Sequence, residues 1–285
     1  MFDNDKVRHE WENVELDHTG FEDVIFERTT SSSFTHATFE NCEFEGPITD
    51  VNFKGATFRN CTFLAGNDQL KARDSSFEGC KFIDCDIHLD ADDCLLSGAE
   101  ITRGTGHLVA YQAGMNGFSL RNTHDFNLEL QEVVVADNVA ITGNEKLSMW
   151  LSSSDISGAV IAANQIDDIT IEGEASLANV QLLQNHGFTD DMTHDTIGFF
   201  VYQVNGWSND VDLDVTNATF DNPAPIVLYD KELFHVVGYD SLNLTGEMTR
   251  PVHTTPIDYG PVDTRPIEVI LDEAFGEAKE DGYEK

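Results

Sequence analysis

Eight phenylalanines in the first third of the chain recur at five-residue intervals, and this spacing constrains the fold more than any other feature. They are Phe34, Phe39, Phe44, Phe53, Phe58, Phe63, Phe77 and Phe82. Aliphatic residues continue the series at Ile87, Leu96 and Ile101. An α-helix repeats every 3.6 residues and a β-strand every two, so neither explains this period. A solenoid does, because each repeat buries its apolar residue only against its neighbours.

A small residue precedes each of these apolar positions by two. The set is Ser32, Ala37, Cys42, Val51, Ala56, Cys61, Ser75, Cys80, Cys85, Cys94 and Ala99. All five cysteines of the chain fall in this slot, which predicts that they pack in the core as small apolar residues. We expect no metal site, because close Cys-x2-Cys pairs are missing from the sequence. We also expect no disulfides, because the number of cysteines is odd and the acidic start, Met1 to Asp5, does not look like a secretory signal.

The motifs resemble those of the pentapeptide-repeat family over roughly residues 19–101. They are Ala37-Thr38-Phe39, Cys42-Glu43-Phe44, Ala56-Thr57-Phe58, Cys61-Thr62-Phe63 and Cys80-Lys81-Phe82. The resemblance implies an all-β fold, a right-handed parallel β-helix with four five-residue sides per coil and short terminal capping segments. The spacing slips at 26 to 34, 44 to 53, 63 to 77 and 87 to 96, which predicts loops or irregular corners there.

Four segments are expected along the chain. Residues 1–18 form an N-terminal cap, residues 19–104 the regular β-helix, and residues 105–249 a less regular continuation with an insertion near 186–210. Val7, Trp11 and Val14 recur at helical spacing in the cap, where Trp11 is expected to lie as a lid on the open end of the core.

The fourth segment, residues 250–285, combines an extended proline-rich tail with a short acidic helix. Prolines at 251, 256, 261 and 266 exclude a helix or an inner strand before residue 267. The helix is predicted at about 267–280, with an apolar face that docks either within the chain or against a second subunit, which would make a homodimer.

The charge is strongly negative and unevenly distributed. The chain has 52 Asp and Glu against 16 Lys and Arg, a net charge of −36. Between Lys146 and Lys231 there are thirteen acids and no Lys or Arg. Direct binding to nucleic acid or to an anionic membrane is excluded on charge grounds, and no apolar run of 18 residues exists that would span a membrane. The expected partner is therefore a basic protein, and the expected location is the cytoplasm.

The linear charge density of such a rod approaches that of duplex DNA. At about 20 residues per coil, the chain would form roughly 14 coils and a rod of roughly 65 Å. A net charge of −36 along it is about 0.55 per Å, against roughly 0.6 per Å for duplex DNA. Acidity that serves only solubility or adaptation to high salt is the alternative interpretation of the same composition.

An enzyme is not expected. The histidines show no H-E-x-x-H spacing, and no phosphate-binding glycine loop or nucleophile elbow is present in the sequence. Paired acids such as Asp92-Asp93, Asp167-Asp168 and Asp190-Asp191 are also found in β-helix enzymes that act on acidic polysaccharides. Those enzymes need basic residues to bind their substrate, and residues 147–230 contain none. We therefore predict no catalytic residues and no cofactor.

The resemblance supplies a functional hypothesis. Some pentapeptide-repeat proteins resemble duplex DNA in size, shape and charge and occupy the DNA-binding saddle of DNA gyrase. The implied function is an acidic DNA mimic that inhibits or protects a DNA-handling enzyme, such as gyrase or a restriction or phage-defence nuclease. The alternative is an interaction scaffold, such as a toxin-immunity protein or the solenoid of a secreted effector. The predicted partner-binding acids are Asp155, Asp167, Asp168, Glu172, Glu174, Asp190, Asp191, Asp195, Asp210, Asp212 and Asp214.

Overall fold

The protein is a parallel β-solenoid. The computed structural model describes residues 6–64, 67–133, 138–188, 196–204, 207–208 and 210–255. The strands of the first coils are β1 Val7–Glu12, β2 Gly20–Glu22, β3 Val24–Ser33, β4 Thr38–Glu40, β5 Glu43–Phe44, β6 Ile48–Asn52, β7 Thr57–Arg59, β8 Thr62–Leu64, β9 Asn67–Arg73, β10 Ser76–Glu78 and β11 Lys81–Ile83. The middle strands are β12 Asp86–Asp92, β13 Glu100–Thr102, β14 Thr105–Tyr111, β15 Ser119–Arg121, β16 His124–Gln131, β17 Ala140–Thr142, β18 Glu145–Asp155, β19 Val160–Ala162 and β20 Gln165–Ser176. The last strands are β21 Gln181–Leu183, β22 His186–Gly187, β23 Ile197–Val201, β24 Gln203–Val204, β25 Trp207–Ser208, β26 Val211–Asp214, β27 Thr219–Asp221, β28 Ile226–Leu228, β29 Phe234–Val237, β30 Asn243–Thr245 and β31 His253–Thr255, with two 3₁₀ helices at Lys231–Leu233 and Tyr239–Ser241.

Each coil contributes one strand to each of up to three faces. The flat face stacks the short strands β5, β8, β11, β13, β15, β17, β19, β21, β27 and β30 in parallel register. The long face stacks β9, β12, β14, β16, β18, β20 and β23. The third face stacks β2, β4, β7 and β10.

Eleven residues form the inner column of the flat face, one for each rung of the solenoid. They are Phe26, Phe44, Phe63, Phe82, Ile101, Leu120, Ile141, Ile161, Leu182, Phe220 and Leu244. At about 4.8 Å per rung, these span about 48 Å, shorter than the roughly 65 Å expected for 14 coils of the whole chain. From Phe44 to Leu120, each rung of the column lies 19 residues after the one before it. The coil between Leu182 and Phe220 has twice as many residues as these coils.

The slips in the five-residue spacing between residues 44 and 101 are not inserted loops, so of the two predicted alternatives, loops or irregular corners, the loops are wrong. Phe63 to Phe82 stays a regular 19-residue coil with β9 inside it. In the next coil, Ile87, Leu89 and Ala91 are all buried along the single strand β12, with exposed or half-buried residues between them. Two five-residue sides have merged into one straight strand whose side chains alternate every two residues. The cross-section is therefore three-sided from β12 to β18, not square as the resemblance implied.

Stacked phenylalanines form the core of the first coils. Phe26, Phe44, Phe63 and Phe82 stack with ring centroids 4.6 Å apart at each step. A second stack, Phe21, Phe39, Phe58 and Phe77, has spacings of 5.0, 4.7 and 4.8 Å. All eight phenylalanines of the sequence pattern are buried. The spacing of the rungs matches the stacking distance of aromatic rings, so the phenylalanines stack in continuous columns through this core.

The cysteine slot is buried and offers hydrogen-bond acceptors. All five cysteines are buried and free of disulfides. Cys61 Sγ donates to the carbonyl oxygens of Phe39 and Arg59, both at 3.5 Å, and Ser75 Oγ makes the equivalent bonds in the next coil at 2.8 and 3.0 Å. The slot therefore selects a small side chain, and the Cys and Ser members also donate hydrogen bonds to nearby carbonyl oxygens.

Asparagines form a buried ladder at one corner of the later coils. Asn144, Asn164, Asn185 and Asn222 occupy successive rungs, and each accepts on Oδ1 from the backbone N–H and side chain of the rung before it. Neighbouring side chains in the ladder lie 2.8 to 3.0 Å apart. The corner polar groups thus bond to each other in place of water.

The N-terminal cap is a strand and not a helical turn. Residues 7–12 pair in parallel with β3, and Val7, which helical spacing placed on an apolar face, is 56% exposed. Trp11 packs over Phe21, Phe26 and Phe34 with centroids 5.8 to 6.4 Å away.

At the other end, β31 pairs with β29. The predicted helix at 267–280 and the prolines at 256, 261 and 266 lie outside the described residues. In the part of the chain that the structure describes, no helix is both long and apolar enough to cross a membrane.

Candidate protein-binding surface

Three neighbouring strands of the C-terminal half carry most of the predicted partner-binding acids. β18 pairs with β20, and the end of β20 pairs with β26. We call the acids on or beside these strands the acidic stripe: Asp155, Asp167, Asp168, Glu172, Glu174, Asp210, Asp212 and Asp214. The remaining predicted residues, Asp190, Asp191 and Asp195, lie outside the described residues.

Four acids of the stripe line one open cleft of about 400 Å³. Asp155, Glu174, Asp212 and Asp214 surround it. Its other lining residues are small or apolar: Val133, Ser153, Ser154, Ala175, Ser176 and Val237. No Lys or Arg lines the cleft, so no lining residue of these types neutralises its carboxylates.

Like charges face each other across adjacent strands in this cleft. Glu174 is in register with Asp212, and Asp214 is two residues further along β26. Directly opposed like charges destabilise a sheet, an effect that solubility alone does not require. A cationic partner would remove this repulsion on binding.

The acids of the stripe that do not line the cleft are Asp167, Asp168, Glu172 and Asp210. Asp168 is half-buried and accepts a hydrogen bond of 2.9 Å from Thr170 Oγ1, while Asp167 beside it is exposed. Asp210 and Asp212 lie 3.6 and 3.7 Å from the ring nitrogens of His235. The histidine is charged only when protonated.

Eight of the ten described acids between residues 147 and 230 belong to the acidic stripe, and one lies on the flat face. On the flat face, the residues on either side of each buried central residue point outward in β17, β19, β21 and β27. Asp221 is the one acid among these outward residues, and the others are uncharged. These outward residues are Ala140, Thr142, Val160, Ala162, Gln181, Leu183, Thr219 and Asp221. An even spread of charge around the rod would place more acids on this face.

The N-terminal half differs because several of its acids pair with bases from neighbouring rungs. Arg73 binds Asp92 at 2.7 Å and Arg103 binds Asp84 at 2.9 Å. The hydrogen bond from Arg103 lowers the pKa of Asp84. In the same way, Lys146 lowers the pKa of Asp125 on the preceding rung. These pairs stop at Lys146, where the base-free stretch begins.

Four aromatic side chains beside the stripe were not predicted as a functional set. Trp150 stacks on Tyr202 with centroids 4.8 Å apart, and Phe200 stacks on Tyr229 at 4.4 Å. All four lie on the outer surface of the long face, and Tyr202 and Tyr229 are 38% and 42% exposed. The sequence signal was the concentration of aromatics beside acids near residues 188–207, but it did not show which rings point outward. Phe199, for instance, is core, whereas Phe200 faces outward.

In the described part of the chain, no group of three or more His, Cys, Asp or Glu side chains is arranged to hold a metal ion.

No family model matches the chain, and no curated protein matches it. Among solved structures, a trypsin-treated form of QnrB1, a plasmid-mediated fluoroquinolone resistance protein, is 18% identical over 70% of this chain and 92% of that one, with a TM-score of 0.30. HetL, a pentapeptide repeat protein involved in heterocyst differentiation regulation from the cyanobacterium Nostoc sp. strain PCC 7120, is 14% identical over 81% of this chain and 85% of that one, with a TM-score of 0.24. The parallel β-solenoid is consistent with a pentapeptide-repeat protein.

Proposed function

We propose that the protein is a non-enzymatic DNA mimic that binds the DNA-contacting surface of a basic, DNA-handling protein in the cytoplasm. The acidic stripe is the observation that carries the proposal. Its acids lie together on β18, β20 and β26, and residues 147–230 hold no Lys or Arg to neutralise them.

The charge density of the solenoid supports the same function. Residues 26–244 contain 34 acids and 10 Lys and Arg, a net charge of −24. Over about 48 Å this is about 0.5 charge per Å, close to the roughly 0.6 per Å of duplex DNA. This charge density is close to the value expected for the whole chain although the rod is shorter, because the acidic C-terminal residues are excluded from both the charge and the length.

Such a surface would act mainly through the rate of association. A patch of one charge sign attracts an oppositely charged partner before contact and thereby raises the association rate, an effect that salt screens. The opposed carboxylates of Glu174 and Asp212 add a local gain, because a Lys or Arg of the partner placed between them relieves their repulsion.

The test is competition with duplex DNA for gyrase and for restriction or phage-defence nucleases. The protein should displace DNA from at least one of them, and its binding should weaken steeply as salt rises. The triple variant Asp168→Lys, Glu172→Lys, Glu174→Lys should slow association at least about tenfold at low salt. Its fold should persist, because these side chains point away from the core.

A matched control changes the net charge equally at the other end of the rod. Glu12, Glu22 and Glu40 are exposed acids of the first coils, and their triple replacement by Lys should leave binding nearly unchanged. Equal losses in both triple variants would show that only net charge matters. Failure to displace DNA from any enzyme would refute the mimicry proposal.

A further inference from the structure

Two stacked aromatic pairs lie on the outside of the solenoid at the border of the acidic stripe. We call Trp150, Phe200, Tyr202 and Tyr229 the aromatic cluster. Elsewhere the described aromatic stacks are mostly inside the core, where rung spacing and burial account for them. Outside it, more than a third of each tyrosine stays exposed to water. Exposed clusters of large apolar side chains mark binding surfaces more often than isolated ones do.

The cluster is held in place by the strands beneath it. β20 lies between β18, which carries Trp150, and β23, which carries Phe200. Trp150 is in register with Thr170, and Thr170 with Phe200, so one rung without a ring, that of β20, lies between the rungs of Trp150 and Phe200. Tyr202 is fixed by its backbone N–H, which donates to the carbonyl oxygen of Ile171 at 2.9 Å.

Gly198 makes room for the second pair. A Cβ at this position would lie 2.5 Å from the Phe200 ring and 3.1 Å from the Tyr229 ring. The two rings therefore lie across the backbone of β23 with an interplanar angle of 5°. Their arrangement is part of the outer surface and does not fill the core.

Carboxylates adjoin the rings. Glu172 follows Ile171 on β20, the strand between those that carry Trp150 and Phe200, and Asp168 precedes Thr170 on the same strand. Aromatic rings and carboxylates thus lie on adjacent rungs of the same outer surface.

We infer that the aromatic cluster, together with Glu172 and Asp168, is a recognition site for an arginine side chain of a basic protein partner. A guanidinium is planar, stacks on aromatic faces and pairs with carboxylates through two parallel hydrogen bonds, whereas a lysine ammonium is a compact, strongly hydrated charge. The inference rests on the proposed function and deepens it: the acidic stripe attracts any basic surface, and the cluster selects arginine within it.

The test compares hexa-arginine with hexa-lysine, which carry the same charge, binding to the full chain by calorimetry at fixed salt. Hexa-arginine should bind about five- to tenfold more tightly. The double variant Tyr202→Leu, Tyr229→Leu keeps apolar side chains but removes two rings, and it should lower this ratio to about twofold, the remainder coming from the carboxylates. Its affinity for hexa-lysine should stay unchanged.

Tyr111→Leu is the matched control, because Tyr111 is also outward on the long face but stacks on no other ring among the described residues. Its arginine preference should equal that of the unaltered protein. Equal affinity for the two peptides in the unaltered protein, or an unchanged ratio in the Tyr202 and Tyr229 variant, would overturn the inference.

A second measurement needs no ring variant and stays available if the leucine variant does not fold. In NMR spectra of the unaltered protein, the indole N–H resonance of Trp150, assigned with Trp150→Phe, should shift with hexa-arginine and not with hexa-lysine. No shift with either peptide would also overturn the inference. The peptide assays involve no DNA enzyme and are therefore independent of the competition assay. Preference for hexa-arginine without displacement of DNA would refute the DNA-mimic proposal alone. Displacement of DNA without a preference for hexa-arginine would refute the arginine site alone.

Discussion

Replacing Asn164 by Ala should destabilise the solenoid far more than a surface change at the next residue. Asn164 Oδ1 accepts from the backbone N–H of Asn144 at 3.0 Å and from its Nδ2 at 2.8 Å. Asn164 Nδ2 donates to the carbonyl oxygen of Ile141 at 2.9 Å and to Asn185 Oδ1 at 2.9 Å. The substitution removes all four hydrogen bonds at a corner where the side chain is 1% exposed.

The magnitude follows from the groups left behind. Asn185 Oδ1 keeps its bond from the Asn164 backbone N–H at 3.0 Å, so that acceptor stays satisfied. The Asn144 backbone N–H and one hydrogen of its Nδ2 lose their acceptor while buried. Each buried donor left without a partner costs about 1–3 kcal/mol, so we expect a loss of about 4 kcal/mol.

Urea unfolding followed by circular dichroism measures this loss, and hydrogen exchange at the Asn144 amide localises it. Gln165→Ala is the matched control, because Gln165 is the exposed neighbour on β20 and should cost less than about 0.5 kcal/mol. Asn164→Asp should restore part of the Asn144 amide protection, because a carboxylate oxygen still accepts there. If Asn164→Ala unfolds at the same urea concentration as Gln165→Ala, the ladder does not stabilise the fold and the reasoning is wrong.

Three further predictions concern the core, the cysteines and the ion pairs. Phe58→Ala should cost about 3–5 kcal/mol in chemical denaturation, whereas Leu95→Ala, at a side chain 54% exposed, should cost less than about 0.5 kcal/mol; similar losses would contradict the stacked core. Burial raises the pKa of Cys94 to about 11, so iodoacetamide at pH 8 should label Cys94 about 100-fold more slowly in the folded than in the unfolded protein. Mass spectrometry measures the two labelling rates, and equal rates would count against the burial of Cys94. The Arg103 hydrogen bond lowers the pKa of Asp84 below the usual 3.8, so the stabilisation by this ion pair is present above that pH and disappears as pH falls through the folded pKa. Asp84→Asn should therefore be less stable than the parent at pH 7 and equally stable near pH 2. A difference in stability that persists at pH 2 would argue against the ion pair.

The corners of the solenoid need a backbone conformation that their residue types favour. Many non-glycine corner residues have positive φ, and Asn and Asp predominate among them, for example Asn41, Asn60, Asp74 and Asp84. Asn and Asp tolerate the left-handed region better than other non-glycine residues because their short side chains bond the local backbone. The recurrence of Asn and Gly at corners was visible in the sequence, whereas the bonds that link Asn144 to Asn222 were not.

The sequence by itself determined the solenoid, its aromatic core and its uneven charge. A five-residue spacing with a small residue at minus two leaves few other ways to bury Phe39 or Phe58, and the lack of Lys or Arg from 147 to 230 is a property of composition. These features depend on neighbours in sequence, which local pattern and propensity report directly.

Only the tertiary structure decided which residues share a surface. Trp150 and Tyr202 stack although 52 residues separate them, and Glu174 meets Asp212 because a longer coil returns to the same edge. Such contacts depend on the length of each coil and on the register between rungs, and a shift of one residue turns every side chain of a strand to the other face. The merging of two sides into the long strands, which turned Trp150 outward and Leu151 inward, was likewise set by register and corner geometry and not by residue type.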